Sequence, residues 1–200
     1  KDILNLVYLA EYFGLPEVAS FWNEVVKINI WHQHRISQLI TKKLFGTISN
    51  KKIAILGFAF KSNTNDTRES AAIQICKDLL DEGAELSIHD PKVSPNQIKL
   101  DLNMTPNTKP GEKKNIDKSS SDNSWHFETN IKKAINKADA VLILTEWEEY
   151  SEIDWLEAYK IMRKPAWVFD SRSIIDPQKV LSAGLNFWRI GDGLNLNILK

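Results

Sequence analysis

The chain contains a single cysteine, Cys76. That excludes an internal disulfide and any zinc site built from several cysteines. Long apolar runs are missing too: no stretch approaches the ~18 residues that a membrane-spanning helix needs. Nor does either charge dominate. Lys and Arg total 26, as do Asp and Glu, so no net field draws nucleic acid or an anionic membrane. The four histidines, His32, His34, His89 and His126, show no HExxH or other ligand spacing, and no metal site is expected. These absences suit a soluble protein of a reducing cytoplasm.

What the sequence does have is an alternation of short apolar runs with amphipathic stretches. Two hundred residues with 42% hydrophobic content suffice for one packed domain with an appendage. Lys52–Leu56, Glu85–His89, 140–144, 166–169 and 186–190 read as strands, the third the most apolar. Helical patterns lie between them, ended by Gly83 and Gly184. The expectation is an α/β fold: a Rossmann-like parallel sheet with helices on both faces and right-handed crossovers.

Residues 1–46 are different. Ile3, Leu4, Leu6, Val7 and Leu9 repeat at helical spacing up to Phe13. Gly14 then ends that helix and Pro16 opens another. From Glu17 to about Phe45 neither Gly nor Pro occurs, which at 1.5 Å per residue predicts a helix of roughly 40 Å. Such a helix suits an interdomain or dimerisation segment, with residues 47–200 as the Rossmann-like domain. Within that domain, residues 103–124 are rich in Pro, Lys, Ser, Asn and Asp and read as a flexible surface insert; residues 97–102 read as a short extended piece. The chain begins at Lys1 rather than Met and enters a helical pattern at once, which reads as a fragment lacking its amino-terminal part.

Candidate chemistry gathers at Gly57–Ser70, GFAFKSNTNDTRES. A loop leaving the carboxyl end of a parallel strand lies where open α/β sheets bind ligands. This one carries two cations, Lys61 and Arg68. Asp66-Thr67-Arg68-Glu69 has capping-box spacing, with Asp66 as the N-cap. Arg68 would then sit in a helix's first turn, against the macrodipole, and a residue so placed suggests a use. A second candidate is Arg172, in Phe169-Asp170-Ser171-Arg172, since Arg suits bidentate recognition of phosphate or carboxylate. Gly57-Phe58-Ala59 is not GxGxxG, so this domain is poorly made to grip a dinucleotide alone. Cys76, mid-helix and without a neighbouring base, reads as a buried, inert thiol.

GFAFK followed by NDTRES closely resembles the UDP-glucose 6-dehydrogenases of the UDP-glucose/GDP-mannose dehydrogenase family. Further segments match in the same order: KDILNLVYLAEYFGLPEVA at the start, TEW at Thr145–Trp147, and FDSR, where Ser171 stands for the usual Gly. The resemblance covers nearly the whole chain except the polar insert. It implies an NAD-dependent enzyme that oxidises UDP-glucose to UDP-glucuronate in two hydride transfers. The intermediates would be a thiohemiacetal and a thioester on a cysteine upstream of Lys1. It places Phe60, Lys61 and Arg172 on the UDP-sugar. Arg68 would reach NAD, Lys1 would line the nicotinamide side, and Asp2 would assist at the thiol. A dimer or higher homo-oligomer is usual in the family. The alternatives are a sister dehydrogenase of GDP-mannose or UDP-N-acetylmannosamine, or a non-catalytic nucleotide-binding or dimerisation module. The 200 residues alone are expected to be inactive.

Overall fold

The computed structural model describes residues 2–105 and 124–192. Lys1 and most of the polar insert, residues 106–123, lie outside them. The chain divides into two compact units, Lys1–Gly46 and Thr47–Lys200.

The first unit is a helical hairpin. Helix α1 spans Asp2–Tyr12 and α2 spans Pro16–Lys43, 28 residues with Pro at its amino end. Between them Gly14 takes φ +70° and the Leu15 N–H returns to the Ala10 carbonyl at 2.8 Å, which satisfies the end of α1. The two helices pack on each other.

The second unit is a doubly wound sheet. Its described strands are β1 (Lys52–Leu56), β2 (Glu85–His89), β3 (Ser124–Phe127), β4 (Ala140–Ile143), β5 (Trp167–Asp170) and β6 (Asn186–Arg189). They stand in the order β3-β2-β1-β4-β5-β6, and every neighbouring pair is parallel. The connecting helices are α3 (Ala71–Asp81), α4 (Pro95–Leu102), α5 (Ile131–Ile135), α6 (Glu148–Ser151), α7 (Trp155–Ile161) and α8 (Pro177–Ser182). Helices α3 and α4 pack together, while α7 packs on both α5 and α8. That grouping follows from right-handed crossovers running outward in both directions from β1 and β4. Because helices cover both faces, the central strands are buried throughout: Ile53 to Leu56 and Ala140 to Ile143 have no accessible surface. Among the described residues no helix is long and apolar enough to cross a membrane.

Three local expectations are corrected. Residues 97–102 are helical, within α4. Ser94 caps that helix by accepting the Gln97 N–H at 3.2 Å, Pro95 follows, and Ile98 and Leu102, four apart, face the core. Strand β3 is a sixth strand that the sequence did not announce; it carries one fully buried side chain, Trp125. The cap of α3 is Ser70, whose Oγ accepts the Ala72 N–H, and not Asp66. Glu69 takes φ +63°, a conformation that cannot continue a right-handed helix, so Arg68 lies before α3 and not in its first turn.

Candidate functional site

The carboxyl ends of β1, β2, β4 and β5 finish level. Leu56 lies opposite both His89 and Ile143, and Ile143 lies opposite Asp170. Each tip releases a loop on the same edge of the sheet, and the strand order reverses between β1 and β4. This is the crevice where open α/β sheets take ligands.

Two buried carboxylates shape that edge. Asp90, after β2, accepts the N–H groups of Phe58 and Ala59 on Oδ2 at 2.7 and 3.0 Å. Its Oδ1 accepts those of Lys92 and Val93, both at 2.9 Å. The Trp147 indole N–H adds a contact to Oδ2 at 3.3 Å. Asp170, at the end of β5, accepts Arg172 N–H at 2.9 Å and Ser173 N–H at 2.8 Å on Oδ1, and Ile175 N–H at 2.8 Å on Oδ2. A carboxylate that gathers several backbone N–H groups fixes a loop that could not satisfy them alone.

The loop after β1 is also fastened from its other sides. Thr145 Oγ1 donates to the Ala59 carbonyl at 2.7 Å and Ser70 Oγ to the Phe58 carbonyl at 2.8 Å. Gly57 takes φ +94°, and a Cβ there would lie 2.4 Å from Thr145 Cβ. The base of the loop is thus rigid and filled, which leaves no glycine cradle for a pyrophosphate. Its tip is not filled: Phe60 is 52% exposed and Lys61 is exposed. Lys92 joins them as a cation unforeseen from sequence, its Nζ 3.3 Å from the Asn63 carbonyl and 5.9 Å from the centre of the Trp147 ring.

Glu146 ties the two loops together. The Arg172 Nε donates to its Oε2 at 2.6 Å and Nη2 pairs with the same oxygen, while the Ser62 N–H lies 3.5 Å from Oε1. Partial burial pushes this carboxyl up, but its own backbone N–H, Arg172 and Ser62 outweigh that and hold it below the usual carboxylate range. The residue next to Lys61 and the guanidinium of Arg172 therefore meet on one side chain. Ser171 needs no glycine freedom, since its φ is not positive and its Oγ donates to the Ile143 carbonyl at 2.6 Å.

Arg68, Asp2 and Cys76 take no part in the contacts described for Glu146. The Arg68 guanidinium is paired with Asp66, Nε and Nη2 donating at 2.9 and 2.7 Å, and its side chain is otherwise exposed. Its supposed position against a helix dipole, one basis for a functional role, is lost with the corrected cap. Asp2 is exposed at the start of α1, in the other unit. Cys76 is fully buried, and burial raises its thiol pKa, which removes it as a nucleophile.

Beside the edge, the Tyr150 hydroxyl lies 3.1 Å from the His89 carbonyl oxygen and 3.0 Å from the His89 Nδ1. Burial lowers the His89 pKa and raises that of Tyr150. A cleft of about 390 Å³ opens there, lined by His89, Asn130, Lys132, Glu149, Glu152 and Glu157 among others. With more carboxylates than cations, it is the wrong place for a diphosphate.

Comparison with known proteins identifies the family. Residues 54–177 match the family model described as the UDP-glucose/GDP-mannose dehydrogenase family, UDP binding domain. The chain is 45% identical over 191 residues to the UDP-glucose 6-dehydrogenase of Drosophila melanogaster, covering 96% of this chain and 39% of that protein. It is 43% identical over 208 residues to UDP-glucose 6-dehydrogenase 3 of Arabidopsis thaliana, covering 98% and 41%. Among solved structures, a UDP-glucose dehydrogenase from Pyrobaculum islandicum superposes with a TM-score of 0.67 at 22% identity, covering 93% of this chain and 35% of that one; it bears on the fold alone. The chain thus spans about two fifths of the length of these sequence relatives. With more than half of its residues inside the family's UDP-binding model, this chain belongs to the UDP-glucose/GDP-mannose dehydrogenase family.

Proposed function

We propose that this chain is the carboxyl-terminal, UDP-sugar-binding part of an NAD-dependent UDP-glucose 6-dehydrogenase that oxidises UDP-glucose to UDP-glucuronate in the cytoplasm. The observation that carries this reading is the meeting of the β1 and β5 loops on Glu146, at the edge where the strand order reverses. Lys61 and Arg172 supply cations of different shape, a point charge and a planar fork, and both suit a diphosphate. Phe60 offers an exposed ring to the sugar or base.

The filled turn at Gly57 does not fit a dinucleotide, so NAD is assigned to a domain outside this chain. Lys1 and Arg68 are its proposed contacts from this side. When bound, NAD supplies the hydride acceptor. The nucleophilic cysteine is likewise assigned upstream, with Asp2 beside it, and no chemical step is assigned to the residues described above beyond holding the substrate. Full activity would belong to the complete polypeptide, as a homo-oligomer.

Calorimetric titration of the chain with UDP, UDP-glucose, GDP and GDP-mannose tests the binding part. UDP and UDP-glucose should bind at least tenfold more tightly than the guanosine ligands. Lys61→Ala or Arg172→Ala should weaken UDP by about tenfold to a hundredfold, as expected for one charge-assisted contact. Preference for GDP-mannose, or variants with unchanged affinity, would refute the assignment. NADH formation from UDP-glucose should require the complete polypeptide and be absent with this chain alone.

A further inference from the structure

Glu146 poses a question, because a carboxylate beside a diphosphate site should repel the ligand. Its bonding answers it. Oε2 takes the Nε and Nη2 edge of Arg172, and Oε1 faces the Ser62 N–H. A guanidinium carries five N–H donors in a fixed fork. Two are spent on Glu146, which leaves the Nη1 corner and the second Nη2 hydrogen. Arg172 remains 38% exposed, so those donors can be reached. The pair is formally neutral, while Lys61 and Lys92 keep the edge cationic. Without the carboxylate, Arg172 would be a long side chain with several rotamers on a surface loop, and its ordering would have to be supplied by the ligand.

We infer that Glu146 is a positioning residue of the nucleotide-diphosphate site: it holds the Arg172 guanidinium in one plane and ties the loop carrying Lys61 to the loop carrying Arg172. This inference rests on the proposed UDP-sugar site and adds a residue to it. The gain from preorganising the fork outweighs the repulsion, because the carboxylate's charge is already met by Arg172.

The test is a double-mutant cycle in the 200-residue chain, read as Kd for UDP by calorimetry. Glu146→Ala should weaken UDP about tenfold. Glu146→Gln, whose Oε1 can still accept from the guanidinium, should stay within about threefold of wild type. In an Arg172→Ala background, Glu146→Ala should no longer weaken UDP and should leave it unchanged or tighter, since no guanidinium is left to hold and the carboxylate's charge is then unmet. A merely structural glutamate would weaken UDP equally in both backgrounds, and that result overturns the inference. Tighter or unchanged UDP binding by Glu146→Ala overturns it too, because repulsion or indifference would then have won. If Arg172→Ala itself leaves UDP affinity intact, the proposed site is at fault. If Arg172→Ala weakens binding and Glu146→Ala does not, only the positioning role fails.

Discussion

At the scale of single residues, the site depends on a few side chains that forbid alternatives. Gly57 is the strictest. Its φ of +94° is costly for any residue with a Cβ, and that Cβ would lie 2.4 Å from Thr145 Cβ and 2.7 Å from the Thr145 backbone nitrogen. The clash cannot be relieved by turning one side chain, because backbone is involved. Strain of about 1–3 kcal/mol adds to overpacking of similar size. Gly57→Ala should therefore destabilise the fold by about 3 kcal/mol or more in urea unfolding, and should weaken UDP binding by displacing the loop that carries Lys61. A loss below about 1 kcal/mol would show that the turn is softer than its packing implies. Lys61 and Arg172, the cations of the proposed site, could be picked from sequence because GFAFK and FDSR resemble segments of the UDP-glucose 6-dehydrogenases; a loop lysine alone reads more readily as merely solvated. The carboxylates that build it could not. Asp90 reads as a strand breaker beside Pro91, Asp170 as one letter of a motif, and Glu146 as the end of a strand. Their roles depend on partners 2 to 57 residues away along the chain for the two aspartates, and 26 and 84 for Glu146, and local pattern does not carry such distances.

At the scale of elements, legibility followed burial. Strands β1, β2, β4, β5 and β6 are marked by apolar runs, and the two central ones, β1 and β4, carry the least ambiguous signal. Strand β3 has the burial pattern of an edge, with Trp125 alone fully inside, so four residues of mixed polarity had nothing to announce them. Helix α4 was missed because Ile98, Leu100 and Leu102 alternate as in a strand, although Leu100 faces solvent in the helix, and only Ser94-Pro95 pointed to a helix start. The β2–β3 edge has a consequence for pH. His126 on β3 lies 3.8 Å from both Glu85 and Glu128, which favour its charged form; burial and Lys52 oppose them and win, so its pKa falls below the usual 6.5. His89 on β2 is lowered from 6.5 by burial as well, against Asp90. In the unfolded chain both imidazoles take up protons near pH 6.5. The unfolded state therefore binds more protons than the folded one between the lowered values and 6.5, and stability rises with pH across that window. It is fully present above 6.5 and is lost as pH falls through the folded values. Glu149 acts in the opposite sense, since burial raises its pKa from 4.5 and protonation on acidification favours the folded state. The window just below 6.5 is where the histidines should dominate. The Tm should drop between pH 7.5 and 5.5, and His126→Gln should reduce that drop. An unchanged Tm in wild type, or the full drop retained in the variant, would mean that these rings are better solvated than their packing indicates.

At the scale of the whole molecule, the two units make different demands. The sheet unit closes its own core, with both faces covered by helices. The hairpin unit does not: Phe21, Ile28 and Trp31 of α2 are each more than half exposed. They sit at i, i+7 and i+10, on one side of the helix. A 28-residue helix, about 42 Å long, gains most of its stability from packing an apolar face, so a bare stripe of large side chains asks for a partner. A second copy of the same helix is the economical one. Two such stripes crossing about a two-fold axis are complementary to themselves, as an isologous interface requires. The chain should therefore sediment as a dimer at micromolar concentration. Ile28→Glu with Trp31→Glu should convert it to monomer by burying two carboxylates without partners at the crossing. UDP affinity should stay within about twofold, because the nucleotide edge belongs to the other unit. A wild-type chain that remains monomeric at 100 µM, roughly a hundredfold above that range, would rule the helix out as a self-association face. A double variant that stays dimeric would move the contact elsewhere. Either result would leave the Lys61–Arg172 edge untouched, since its loops are fastened by Asp90, Asp170 and Glu146 within a single sheet unit.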